Sequence, residues 1–100
     1  MFARVSGGQY KPGTLDSPAI KDAIKQWREI TVAQKKEGGK GGLLLFDRTT
    51  NKTMSISMWE SEAAMNASEA GHKKRASRAS ADPSRVGPGF TEHYEIVAQV

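Results

Sequence analysis

The sequence predicts an α+β fold in the order β-α-β-β-α-β, and three features carry that prediction. A hairpin occupies the middle of the chain, with Leu43–Asp47 and Thr53–Trp59 as strand-like runs around the polar turn Arg48–Lys52. Helical periodicity precedes the hairpin, and a helix start at Ser61-Glu62 follows it. Strand-like runs also lie near both ends, at Phe2–Ser6 and Phe90–Gln99. This order is the split βαβ or ferredoxin-like arrangement, a four-stranded antiparallel sheet carrying both helices on one face.

Taken in order, Phe2–Ser6 alternates as a first strand. Gly7-Gly8 and Pro12-Gly13 are expected to break it and leave a loop to about residue 16. Ser17 then reads as a helix N-cap, with Pro18 at the first helical position, where a missing N–H costs nothing. Ile20, Ala23, Ile24, Trp27, Ile30 and Gln34 follow at helical spacing, and Lys21, Asp22, Lys25, Arg28 and Glu29 fall off that stripe. The cluster Gly38-Gly39-Lys40-Gly41-Gly42 ends the helix as a flexible connection. It is not a phosphate loop: Gly41 stands where Ser or Thr is needed after the lysine, and the cluster leads into a strand rather than a helix.

Alternation along the third strand puts Met54, Ile56 and Met58 on one face and Thr53, Ser55, Ser57 and Trp59 on the other. Ser61 is the expected N-cap of a second helix running from about Glu62 to Ala79. Its apolar residues are nearly all alanines, so it either sits very close to the sheet or leaves a void beneath it. Asp82-Pro83 and Gly87-Pro88-Gly89 mark a loop before the final strand.

A length of 100 residues predicts one domain, residues 1–100. Hydrophobic residues make up 37%, low for a self-sufficient core, so burial completed by a partner subunit is expected. Both faces of Leu43–Phe46 are apolar, and both sides of the last strand hold apolar residues (Phe90, Tyr94 and Ile96; Val97). With two helices covering only one face of the sheet, a monomer would leave the other bare, so a homodimer is predicted.

The absence of cysteine removes disulfides, thiolate nucleophiles and cysteine-ligated zinc. It also favours a cytoplasmic location over secretion. No signal peptide is expected at Met1, and no apolar run approaches the ~18 residues of a membrane span, so no membrane association is expected. Net charge is +4, and the window Lys73–Arg85 accounts for it, with five basic residues against Asp82 (5 − 1 = +4). Such a local basic segment fits a solvated helix end that complements the helix dipole, worth ~0.3–1 kcal/mol per charge. No nucleic-acid partner is expected: RNA-recognition domains share this element order, but Thr53–Met58 lacks their stacking aromatics and glycines.

Four segments together resemble the antibiotic biosynthesis monooxygenase-type domains of the dimeric α+β barrel superfamily. They are Phe2-Ala3-Arg4-Val5-Ser6, Leu43-Leu44-Leu45-Phe46-Asp47-Arg48, Ser55–Glu62 and His93-Tyr94-Glu95-Ile96-Val97. The resemblance covers nearly the whole chain. It implies a homodimer whose sheets join as a barrel, with a pocket between sheet and helices in each subunit. It also implies, as one family activity, cofactor-free oxygenation of aromatic polyketides. Trp59 matches the tryptophan that lines the pocket of such oxygenases. Ser55 stands in place of their asparagine, and Met65 falls about where their tyrosine would. Haem-degrading members use an asparagine on the first strand, which is missing here. Ser68 and Arg78 occupy the positions of those members' second-helix tryptophan and histidine, so haem degradation is disfavoured.

The candidate pocket residues are therefore Trp59, Ser55, Ser57, Met65 and His72. Trp59 either stacks on a flat ligand or closes the sheet as a core residue. The serines offer hydroxyls, and His72 has a side chain suited to proton transfer near neutrality if the alanine-rich helix leaves a void. No catalytic residue is assigned. Two histidines and no carboxylate cluster make a metal site unexpected, and no cofactor is expected. The function expected is a small cofactor-independent monooxygenase acting on a hydrophobic aromatic or quinone-type molecule. The alternative is a non-catalytic, dimeric small-molecule-binding or stress-related module.

Overall fold

The computed structural model describes residues 1–100. Its elements are β1 (Phe2–Tyr10), α1 (Ala19–Gln34), β2 (Gly39–Asp47), β3 (Lys52–Trp59), α2 (Glu62–Ala67), α3 (Glu69–Ser80) and β4 (Arg85–Glu95). The strands form one antiparallel sheet in the order β2-β3-β1-β4. The split βαβ arrangement predicted from the sequence is the observed fold.

Three boundaries differ from expectation. Gly7 and Gly8 do not end β1: Gly7 pairs with Met54 and with Phe90, and the strand continues to Tyr10. An irregularity between Gly7 and Gln9 absorbs the glycines as a bulge, the usual reason for glycine inside a strand. Gly87-Pro88-Gly89 likewise lies inside β4, which starts at Arg85 and stops at Glu95 rather than running from Phe90 to Gln99. Gly38, with φ 91°, makes the turn after α1, and Gly39 to Gly42 already belong to β2.

The single helix expected over residues 62–79 is two. Ser68 ends α2 and precedes α3, its Oγ donating to the Met65 carbonyl at 2.7 Å. Ser61 caps α2 as predicted, its Oγ accepting from Ala64 N at 3.1 Å. Ser17 does not cap α1 with its side chain, which instead donates to the Thr14 carbonyl at 2.7 Å. Beside it Leu15, in a 3-10 turn where a loop was expected, is only 1% exposed.

The α1 stripe meets the sheet as its spacing requires, with Ile20, Ile24, Trp27, Ile30 and Gln34 partly shielded and the charged residues between them exposed. Yet only 7 of 100 residues are buried, and α1 contributes none of them. Two facts account for this. The helices stand off the sheet around a cavity, and the opposite sheet face, with Leu43, Leu45, Met54 and Tyr94, is exposed. No helix is long and apolar enough to cross a membrane.

Candidate functional site

The cavity, about 500 Å³, lies between α1, α3 and the inner face of the sheet. That volume is within the ordinary range for small-molecule pockets. Its existence follows from composition: α3 presents Ala76, Ala79 and serines toward the sheet, and these are too short to fill the gap. On the sheet, alternation brings Leu44 and Phe46 of β2 and Thr53, Ser55 and Ser57 of β3 to the cavity wall.

Ser55 and Ser57 both line the cavity, and each hydroxyl oxygen accepts an indole N–H. Trp27 Nε1 donates to Ser55 Oγ at 2.9 Å, and Trp59 Nε1 donates to Ser57 Oγ at 3.0 Å. A serine hydroxyl has one proton and two lone pairs, so each oxygen's commitment to an indole leaves its proton free to donate. Trp27, the apolar centre of the α1 stripe, is thus also a pocket residue.

Trp59 is fully buried, on the helix side of the sheet beside Ser57, and is not on the cavity wall. The Arg4 guanidinium lies 5.6 Å from its ring centroid. Met65, 3% exposed, is packed away from the cavity as well. Of the five candidates, Ser55, Ser57 and His72 are brought together at the cavity, while Trp59 and Met65 are buried off its wall, Trp59 bonded to Ser57.

His72 is 8% exposed and sits on the α3 face toward the cavity, with Nε2 3.0 Å from Thr91 Oγ1 of β4. Burial, reinforced by the positive charges of Arg4 and Arg75, pushes its pKa from 6.5 down to about 4. Its imidazole is therefore neutral at pH 7. No three histidine, aspartate or glutamate side chains come together as a metal would require.

Three arginines on the cavity wall escaped the sequence reading. Arg4 is 3% exposed; its Nη1 donates to Ser68 Oγ at 2.8 Å and to Glu69 Oε1 at 3.1 Å. Glu69 also holds His93 Nε2 at 2.7 Å, tying α3 to both β1 and β4. Burial alone would raise the Glu69 pKa, but hydrogen bonds from His93 and Arg4 outweigh it and hold the carboxyl below its ordinary value. Ser68 is thus a structural anchor for Arg4. Arg75 turns inward from the basic segment, whereas Lys73, Lys74 and Arg78 stay exposed. Spacing carried the signal for it: His72, Arg75, Ala76 and Ala79 are at i, i+3, i+4 and i+7 on one helix face. Arg85, at the start of β4, lies 5.2 Å from the Tyr10 ring centroid, and a Cβ at Gly8 would collide with its guanidinium.

No protein-family model matches the chain, and no curated protein sequence matches it significantly. Solved structures do share its fold. A candidate antibiotic biosynthesis monooxygenase of Nitrosomonas europaea superposes with TM-score 0.70 at 15% identity, covering 98% of this chain and 100% of that one. A monooxygenase of Streptomyces coelicolor solved with nanaomycin D gives 0.65 at 17% identity, covering 99% and 89%. The haem degrader MhuD of Mycobacterium tuberculosis, solved with two haems in its active site, gives 0.64 at 21% identity over 100% and 99%. The chain has the ferredoxin-like fold of antibiotic biosynthesis monooxygenase domains, at identities that carry the fold alone.

Proposed function

We propose that this protein is a dimeric, cofactor-independent oxygenase that binds a flat aromatic molecule of the phenol or quinone type. The observation that carries this reading is the cavity wall. Trp27, Phe46 and Tyr10 supply aromatic surface, and Ser55, Ser57 and the arginines supply hydrogen-bond donors. A cavity of mixed lining, with aromatic surface beside convergent donors, suits a ring bearing oxygen substituents. The structural likeness to oxygenases, one of them solved with nanaomycin D, supports the same chemistry.

In this reaction the bound phenolate delivers electrons to molecular oxygen. One oxygen atom enters the ring as a carbonyl, and the other leaves as water with the two hydrogens that the phenol loses in becoming a quinone. The residues of this chain contribute binding, orientation and exclusion of water. Arg75 and Arg85 would stabilise negative charge on the ring oxygens as the electrons move, and the serine hydroxyls would fix the ring's orientation.

A second reading, binding without turnover, is favoured by one observation: His72 is engaged with Thr91 and is a weak base. Oxygen-electrode measurements separate the two. Oxygenation predicts uptake of one O2 per ring oxidised, with a bound phenol consumed and a quinone formed. Stabilisation of the protein by phenols and quinones with no oxygen uptake would leave binding as the function. Neither stabilisation nor uptake would remove both.

A further inference from the structure

Charge on the cavity wall is one-sided. Arg4, Arg75 and Arg85 line it, and no aspartate or glutamate does. The ion pairs of the chain join Arg4 and His93 to Glu69, Lys40 to Glu60 and Arg48 to Asp16. Arg4 is thereby neutralised, and Arg75 and Arg85 have no carboxylate within ion-pair distance; Glu37 and Asp82 act on them only from farther off. The one buried side-chain polar atom without a hydrogen bond anywhere in the chain is Arg85 Nε. An unpaired guanidinium nitrogen is costly; this one is shielded against Gly8, so a ligand in the cavity would meet the rest of the Arg85 guanidinium.

The hydroxyls agree with the charges. Ser55 and Ser57 spend acceptor capacity on Trp27 and Trp59 and keep protons to offer. The wall therefore presents donors and positive charge around aromatic surface, with few groups able to receive a proton. Carboxylates are missing from it, and the one histidine is bonded to Thr91 and resists protonation. A pocket built this way is poorly equipped to deprotonate a neutral phenol, and well equipped to hold one that arrives ionised.

We infer that the ligand is an aromatic anion, a ring carrying an oxygen already ionised in water at neutral pH, held by Arg75 and Arg85 on the cavity wall. This deepens the proposed function and rests on its aromatic pocket. It narrows the substrate class to acidic phenols, for which an acidic hydroxyquinone is an already oxidised binding analogue, and it makes deprotonation a property of the substrate rather than a catalytic step. Charge-assisted hydrogen bonds are roughly twice as strong as neutral ones, so the distinction is measurable.

The test pairs 2-hydroxy-1,4-naphthoquinone, an anion at pH 7, with its 2-methoxy ether, which has the same ring and cannot ionise. Calorimetric titration of the wild-type protein is expected to show the hydroxyquinone binding at least about tenfold tighter, a difference of about 1.4 kcal/mol. Arg75→Gln should remove most of that advantage, weakening the hydroxyquinone far more than the ether, and Arg75→Lys should restore part of it. Added salt should weaken only the hydroxyquinone. Equal binding of the two probes overturns the anion inference while leaving the aromatic pocket standing. Binding of neither, by protein with an unaltered circular dichroism spectrum, overturns both.

Discussion

At the scale of single residues, His72 and Gly8 give the sharpest tests. His72 is neutral in the fold with a pKa of about 4, whereas in the unfolded chain it returns to about 6.5. Between those values the unfolded state binds a proton that the native state does not, so stability falls as pH drops from 6.5 toward 4 and the loss is complete below 4. Between pH 7.5 and pH 5 the expected loss is on the order of 2 kcal/mol. Urea midpoints at pH 7.5 and pH 5 should show it, and His72→Gln should remove that part of the slope; a wild-type curve no steeper than the variant's would contradict the burial of a neutral imidazole. Gly8 tests the seat of Arg85. A methyl group there meets the far end of a flexible side chain, so Gly8→Ala should displace the guanidinium rather than the backbone. Stability should hold or rise slightly, by at most about 1 kcal/mol, because alanine narrows the unfolded ensemble. Affinity for the hydroxyquinone should fall several-fold. An unchanged affinity would mean that Arg85 takes no part in binding.

At the scale of elements, the Ser61 cap and the apolar stripe were legible, whereas the Ser17 cap and the tertiary insertions were misjudged. Ser61 followed by Glu62 announces α2, and the bond from Ala64 N to Ser61 Oγ is the one predicted. Ser61→Ala should cost about 1 kcal/mol in thermal or urea unfolding. The stripe from Ile20 to Gln34 and the alternation of Thr53, Ser55 and Ser57 also survive unchanged, because periods of 3.6 and 2 are intrinsic to the elements. Gly7-Gly8 and Gly87-Pro88-Gly89 were misread because a local rule treats glycine as a break. Here β1 and β4 pair across each other's glycines, and the register shift after Gly7 takes up the mismatch. Arg75 was hidden for another reason: a basic residue among basic residues reads as solvated until a cavity opens beside it. Trp59 was visible as important, but its role depends on a neighbour, Arg4, that sequence spacing cannot place over its ring. Because Trp59 is buried off the wall, Trp59→Ala should act through stability, costing ~3–5 kcal/mol. Trp27→Phe should instead spare the fold and release Ser55, weakening ligand binding while moving the unfolding midpoint little.

At the scale of the whole molecule, the shortage of burial decides what the protein does with its second sheet face. Only seven of 100 residues are buried, and the outer face carries Leu43, Leu45, Met54 and Tyr94, each between 38% and 55% exposed. These residues come from β2, β3 and β4, so the patch crosses the sheet rather than sitting at one corner. Contiguous apolar surface of this kind marks an interaction site, and a second copy offers the same face in return. Such a dimer would bury the patch and leave both cavities, on the opposite face, open to ligand. Sedimentation equilibrium is expected to give twice the chain mass. Leu45→Glu then provides the decisive comparison. On a solvated surface such a change is worth no more than about 0.5 kcal/mol, whereas at a packed interface it buries an unpaired charge. The variant should sediment as a monomer and unfold at lower denaturant, with a midpoint that no longer depends on protein concentration. A wild-type protein that sediments as a monomer, with Leu45→Glu equally stable, would show that the face is tolerated bare and that the dimer reading is wrong.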